Sequence, residues 1–181
     1  MPKKYYYFCA SLPTLQLGEK PPWTMEQFLG ECSRLLAADD VQQVHAALHD
    51  DYSVPAPAES SRFVQEWRAW EIQLRNATAR WRAARAGADM AGKLRDHPGF
   101  DCALEKGVND ACARENPLER ELELDRLRWR WAEQAALVDP FGMAAILGFA
   151  LRLRLALRWA ALREDSGRAA AAAFIEQAAV F

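Results

Sequence analysis

Hydrophobic residues recur every three or four positions along most of this chain, and the longest such run lies near its middle. The run alternates spacings of four and three and comprises Phe63, Trp67, Trp70, Leu74, Ala77, Trp81, Ala84 and Ala88. It predicts a helix of about 25 residues, near 40 Å long at about 1.5 Å per residue, packed lengthwise on another helix. We interpret this helix as the spine of the fold, with Trp81 buried in its apolar seam.

Start signals predict three more helices around this spine. Thr24 with Gln27 makes a capping box, and apolar residues at helical spacing then predict a helix over residues 25–37. A second helix is expected to be capped by Asp39 or Asp40 and to end before a linker. The linker is Val54–Pro57. After the spine, a shorter helix is predicted from Asp101 through Cys112.

Two polar residues followed by proline mark later helix starts. Asn116–Pro117 predicts one helix, and Asp139–Pro140 predicts the start of another. Ser166–Gly167 is expected to break this last helix. A terminal helix would follow and be docked by Phe174, Ile175 and Phe181.

These elements predict an all-α protein of about six or seven helices in an elongated bundle. The only strand candidate is Tyr5–Phe8, which is too isolated to form a sheet. We predict a single helical domain over residues 1–181, with two similar lobes, 1–95 and 96–181, as an open alternative. The alternative rests on matching Arg, Trp, Ala and Arg positions in Arg80–Arg85 and Arg158–Arg163.

Composition is compatible with a soluble protein of the cytosol. The 181 residues are 51% hydrophobic, enough for one ordinary core, and the net charge is −2. We expect no membrane span, because the apolar part of Phe141–Leu162 ends at Leu151, short of the ~20 residues that a span needs. No signal peptide is recognisable. The four cysteines form no CxxC pair, so we expect them reduced, as small buried hydrophobes.

The sequence offers little for catalysis, and we expect no enzyme and no cofactor. His45 and His49 lie four apart, so both could project from one helix face toward a metal, but the other ligands of a metal site are missing. We therefore predict no metal site. The acidic residues from Glu119 to Asp125 are interleaved with arginines, which favours a solvated, salt-bridged face over acid–base catalysis.

Arginine is distributed unevenly, and this predicts a basic surface. Arg68, Arg75 and Arg82 lie seven apart and form one stripe, and Arg152 and Arg154 begin a second stripe. The stripes meet an acidic protein or nucleic acid, or else they pair with the protein's own acidic helices. Arginine interleaved with tryptophan suggests a nucleic-acid-binding module, although the net acidity argues against it.

Several ordered segments resemble an uncharacterised bacterial family encoded in V-type ATPase operons. Tyr5–Pro13 is similar to that family's YYYLVASLP-like start, and Lys20–Thr24 to its KPP-(F/W)-(S/T) segment. Further matching segments follow along the chain. They are Glu71-x-x-Leu74-Arg75-Asn76, Arg80–Arg85, Asn116–Glu119, Leu124–Trp129, Phe149–Leu153 and Arg158–Trp159.

The resemblance implies a non-catalytic accessory, central-stalk or assembly component of a bacterial V-type ATPase. Such a protein would contact stalk or rotor-ring subunits and would lie in the cytoplasm, peripheral to the inner membrane through the ATPase. The E-x-x-LRN segment is also similar to helices of the eukaryotic V-type ATPase d subunit and of its bacterial counterpart. This resemblance implies an interface role, which we extend to the first stripe, for Arg68, Arg75, Asn76, Arg82, Arg152 and Arg154. A nucleic-acid-binding helical module is the alternative, and a metal enzyme using His45 and His49 comes third.

Overall fold

In a computed structural model, the described part of the chain comprises residues 4–52, 57, 59–89 and 92–178, with side chains as far as Arg163. Within these residues it forms seven helices and no strand, which confirms the all-α fold. The helices are α1 (Tyr6–Ser11), α2 (Met25–Leu35), α3 (Ala38–Leu48), α4 (Arg62–Ala86), α5 (Cys102–Cys112), α6 (Pro117–Leu137) and α7 (Met143–Ala178).

The predicted starts of α2, α5 and α6 are confirmed. Thr24 and Gln27 form the reciprocal capping box of α2. Asp101 accepts hydrogen bonds from two backbone N–H groups in the first turn of α5. Asn116 caps α6 by accepting from the backbone N–H two residues further on. In each case a side-chain oxygen satisfies a donor that the first helical turn leaves unpaired.

The predicted cap of α3 is wrong. Ala37 is its N-cap residue and makes no side-chain cap hydrogen bond, while Asp39 and Asp40 lie inside the first helical turn. Their carboxylates stabilise this end through the helix dipole instead. The linker predicted at Val54–Pro57 lies mostly outside the described residues.

Two expectations about α7 are also wrong. Asp139 does not cap the helix, because it begins a turn in which the Gly142 N–H donates to the Asp139 carbonyl at 3.2 Å, and α7 starts at Met143. The backbone then remains helical through Ser166–Gly167. A single glycine costs a helix only about 1 kcal/mol, which the surrounding alanines offset. The docking expected of Phe174, Ile175 and Phe181 lies outside the described side chains.

The seam of α4 is buried along only part of its length. Trp67, Leu74 and Ala77 are buried, but Trp81 is half-buried and Ala84 is exposed. The expectation of a buried Trp81 is therefore wrong. A straight helix drifts by about 20° per heptad from a strict 3.5-residue repeat, so the far end of this seam turns away from the core.

Three groups of buried side chains hold the helices together. One joins α1, α2 and α3 to α7, and Tyr5–Phe8, the former strand candidate, contributes Phe8 to it as part of α1. A second joins α4, α5 and α6 around Leu74 and Leu124. A third joins α4, α6 and α7 through Trp67 and Leu151. Whether the chain is one domain or two lobes stays a prediction.

The α6–α7 contact is the closest of these. A Cβ on Gly148 would lie 2.5 Å from the Ala132 carbonyl oxygen, so only glycine permits the observed helix approach. Among the described helices, none is long and apolar enough to cross a membrane.

Candidate functional site, a buried charge cluster beside an arginine-lined groove

Three charged side chains meet in the interior between α4 and α6. Glu71 is 2% exposed and Asp125 is fully buried, while the side chain of Arg128 is 14% exposed. Arg128 donates from Nε and Nη2 to the two carboxylate oxygens of Glu71, both at 2.9 Å, and from Nη1 to Asp125 at 2.7 Å. Such a fork is the strongest form of ion pair available to side chains.

Three further side chains complete this arrangement, which we call the charge cluster. Arg75 donates to Glu71 at 2.9 Å from the next turn of α4. On α7, Arg158 Nη1 and Trp159 Nε1 donate to the second oxygen of Asp125 at 3.0 and 2.8 Å. The charge cluster therefore links α4, α6 and α7. It comprises Glu71, Arg75, Asp125, Arg128, Arg158 and Trp159.

Helical periodicity explains why these residues meet. Asp125 and Arg128 are three apart on α6, and Glu71 and Arg75 are four apart on α4, so each pair shares one helix face. The burial of Trp67 and Leu74 turns the Glu71 face of α4 inward, which places the carboxylate opposite Arg128.

The charge cluster keeps its members ionised. Burial by itself raises the pKa of Glu71, but the positive charges and hydrogen bonds of Arg128 and Arg75 outweigh it, so the pKa lies below the usual value. Burial lowers the pKa of Arg128, yet Glu71 and Asp125 more than compensate and raise it. Glu71 is thus a permanent anion at neutral pH, suited to holding helices together rather than to transferring protons.

Tyr52 forms a second layer beside the charge cluster. Its ring is buried, and the guanidinium groups of Arg75 and Arg68 lie 4.2 and 4.9 Å from its centroid. Burial raises the pKa of Tyr52, and the negative charge of Glu71 adds to this effect. The phenol is consequently neutral, and its ring acts as a cation-binding face.

Three of the six predicted interface residues bind the protein's own backbone. Arg68 is buried and donates to the Asp51 carbonyl at 2.8 Å. Asn76 is also buried and pairs with both backbone groups of Arg95. Arg154 donates to the Leu48 carbonyl at 3.0 Å.

The other three differ in exposure. Arg152 is largely covered, since its side chain is 20% exposed, and it reaches the Gly148 carbonyl at 3.3 Å. Arg75 and Arg82 have side chains 45% and 63% exposed. The structure therefore separates the Arg68, Arg75 and Arg82 stripe into one buried and two exposed members. The interface role of all six stays a prediction.

Arg75 and Arg82 border a groove of about 510 Å³ between α4 and α6, which we call the α4–α6 groove. Its apolar lining consists mainly of small side chains of α4 and two leucines. These are Leu74, Ala79, Ala83, Ala86, Ala88 and Leu124. Its polar lining comprises Arg75, Arg82, Arg128, Glu121 and Thr78, so positive charge predominates.

The solvated face predicted for the α6 carboxylates is correct for one member and wrong for another. Glu123 pairs with Arg126, whose side chain is half exposed, as expected of a surface pair. Asp125, in contrast, is fully buried in the charge cluster.

The two histidines do not share a helix face. His45 is an exposed residue of α3, whereas His49 lies beyond its end in extended conformation and accepts from the Asp51 N–H. No group of three His, Cys, Asp or Glu residues suited to a metal occurs in the described ranges.

Tryptophan rings expected to face nucleic acid pack mainly on one another. The centroids of Trp67 and Trp131 are 5.1 Å apart, and those of Trp67 and Trp70 are 5.7 Å apart. The cysteine expectation is partly wrong, because Cys32 and Cys112 are buried but Cys102 is exposed; all four are free thiols.

Sequence reasoning from residue types missed the charge cluster, although a signal was available. Glu71, Asp125 and Arg158 each lie in one of the segments that carry the family resemblance. Glu71 also follows Trp67 by four residues, so it occupies an inward-facing position where a charge needs a partner.

Comparison with known proteins gives one match. Residues 104–177 match the model of a family described as "Protein of unknown function (DUF2764)". No curated protein and no solved structure matches the chain. The matched region contains most of α5, all of α6 and nearly all of α7. It therefore holds Asp125, Arg128, Arg158 and Trp159 of the charge cluster, and it does not extend to α4, where Glu71 lies.

Proposed function

We propose that this protein is a non-catalytic accessory, central-stalk or assembly component of a bacterial V-type ATPase, acting through protein–protein contacts. The observation that carries the proposal is the convergence of separate operon-family-like segments on the charge cluster. Glu71 and Arg75 come from the first segment, Asp125 and Arg128 from the second, and Arg158 with Trp159 from the third.

The chemistry of the charge cluster supports a mechanical role. Both oxygens of Asp125 and both oxygens of Glu71 accept hydrogen bonds from cationic or indole donors. Carboxylates engaged in this way fix the relative positions of three helices. A component that transmits force or templates assembly requires such stiffness.

The exposed arginines support contact with a partner. Arg75 and Arg82 lie on the rim of the α4–α6 groove, where charges act on the rate and specificity of association. V-type ATPase subunits are the proposed partners because of the family resemblance.

Affinity purification from the source bacterium tests the proposal. A chromosomally tagged protein, purified at low and at physiological salt, should carry stalk or rotor-ring subunits in amounts comparable to its own, measured by quantitative mass spectrometry. An untagged strain and a strain expressing an unrelated tagged protein serve as controls.

The absence of every rotary ATPase subunit from the purified material would contradict the proposal. If single-stranded nucleic acid were recovered instead and were released steeply by salt, the nucleic-acid-binding alternative would replace it.

A further inference from the structure

We infer that the α4–α6 groove binds one α-helix of a partner protein, and that this helix presents two carboxylates seven residues apart. The inference rests on the proposed function only in assuming a protein partner. It adds the location of the contact, the chemistry of the partner and its geometry.

The shape of the groove favours a helix. Its α4 wall is built from Ala79, Ala83 and Ala86, and short side chains allow another backbone to approach closely. Leu74 and Leu124 add apolar surface deeper in the groove. A groove of about 510 Å³ has room for a few side chains from one face of a helix lying along it.

The charge of the groove favours carboxylates. Arg75 uses its Nε for Glu71, and its terminal nitrogens donate no hydrogen bond to a described residue. Arg82 pairs, within the described residues, only with Glu121, at the long distance of 3.5 Å. Glu121 is also 3.4 Å from Arg158, so it is shared between two guanidinium groups. The rim therefore has donor capacity left for an acidic partner.

The spacing of the two rim arginines sets the geometry of the partner. Arg75 and Arg82 are seven residues apart, or about 10 Å along α4 at 1.5 Å per residue. A single small anion does not reach both positions. Carboxylates two turns apart on a helix lie on one face at the same separation, so a helix aligned with α4 pairs with both arginines, with apolar residues facing the alanines between them.

Site-specific photo-crosslinking in the source bacterium tests the inference. A benzophenone amino acid replaces Ala86, which lines the groove and is exposed, and a control replaces Gln134, which is exposed on α6 outside the groove. Crosslinked peptides are identified by mass spectrometry. We expect the Ala86 probe, and not the Gln134 probe, to capture a helical segment with carboxylates seven residues apart.

Charge variants make the test specific. Arg82→Glu should reduce the yield of the Ala86 crosslink at least about tenfold, because like charges across an interface are strongly unfavourable. Arg62→Glu, at the opposite end of α4 and with a side chain 89% exposed, should leave the yield unchanged. Arg82→Gln should give an intermediate yield, and circular dichroism should show all three variants folded.

The outcomes distinguish this inference from the proposed function. An acidic helix of a rotary ATPase subunit at Ala86 supports both, and such a helix from another complex supports the groove inference while overturning the ATPase proposal. Crosslinks to the ATPase only from Gln134 overturn the groove inference alone. An Ala86 partner without paired carboxylates, or a yield insensitive to Arg82→Glu, also overturns it.

Discussion

Replacing Arg128 with methionine should destabilise the fold more than any comparable surface change. Methionine keeps most of the aliphatic length of arginine but removes the guanidinium group, and with it three hydrogen bonds to Glu71 and Asp125. Glu71 retains Arg75, and Asp125 retains its partners on α7, so neither carboxylate is left wholly unpaired. Removing one partner of a buried ion pair costs about 3–5 kcal/mol, and we expect a loss in this range.

Arg126→Met is the matched control on the same helix. Arg126 also pairs with a carboxylate, Glu123, but its side chain is 50% exposed, and an exposed pair contributes under about 1 kcal/mol. Urea denaturation followed by far-ultraviolet circular dichroism measures both changes. Arg128→Lys, which keeps the charge but not the fork, should recover part of the loss.

A double-mutant cycle isolates the ion pair itself. Glu71→Gln combined with Arg128→Met should cost less than the sum of the two single changes, because each variant removes the same interaction. Equal and small losses for Arg128→Met and Arg126→Met, or strictly additive losses in the cycle, would refute the charge cluster as a lock between helices.

Three further results are expected. The folded-state pKa of Glu71 is lowered, so its stabilising contribution is complete above the unfolded-state pKa and is lost as the pH falls through the folded-state pKa; acid titration of the unfolding free energy should show a shallower decline for Glu71→Gln than for the wild type. Gly148→Ala should cost about 1–3 kcal/mol by urea denaturation, because the added methyl group meets the α6 backbone, whereas Gly30→Ala, with no neighbour within 4 Å, should be stabilising by up to about 1 kcal/mol. Cys102 should react with an alkylating reagent before Cys32, which is buried and whose pKa is raised to about 12 by its burial and by Glu31; mass spectrometry showing the reverse order would contradict the packing of α2.

Much of the fold was predictable because local signals determine it. Thr24, Asp101 and Asn116 each satisfy backbone donors within three residues along the chain, so the start of each helix is encoded next to it. The cap expected at Asp139 failed because that residue starts a turn, and its carboxylate pairs with Lys4, 135 residues away. A contact of that kind leaves no trace in local sequence.

The candidate site was less predictable for the same reason. Glu71 and Arg128 are separated by 57 residues, and neither helix alone shows whether a charged residue faces solvent or a partner. Residue type suggested that Arg68 and Arg75 belong to one exposed stripe. Tertiary packing buries Arg68 against Tyr52 and leaves Arg75 on the groove rim, because Tyr52 approaches α4 from a preceding segment.

The central claim is that this protein acts by contact with a rotary ATPase through its exposed arginine rim. The most direct test compares ATPase subunits recovered with the tagged wild type, Arg82→Glu and Arg62→Glu over a series of salt concentrations. The claim predicts recovery with the wild type and Arg62→Glu that weakens as salt rises, and a strong loss with Arg82→Glu at every salt concentration. Absence of ATPase subunits from the wild-type sample, or equal recovery with all three proteins, would contradict it.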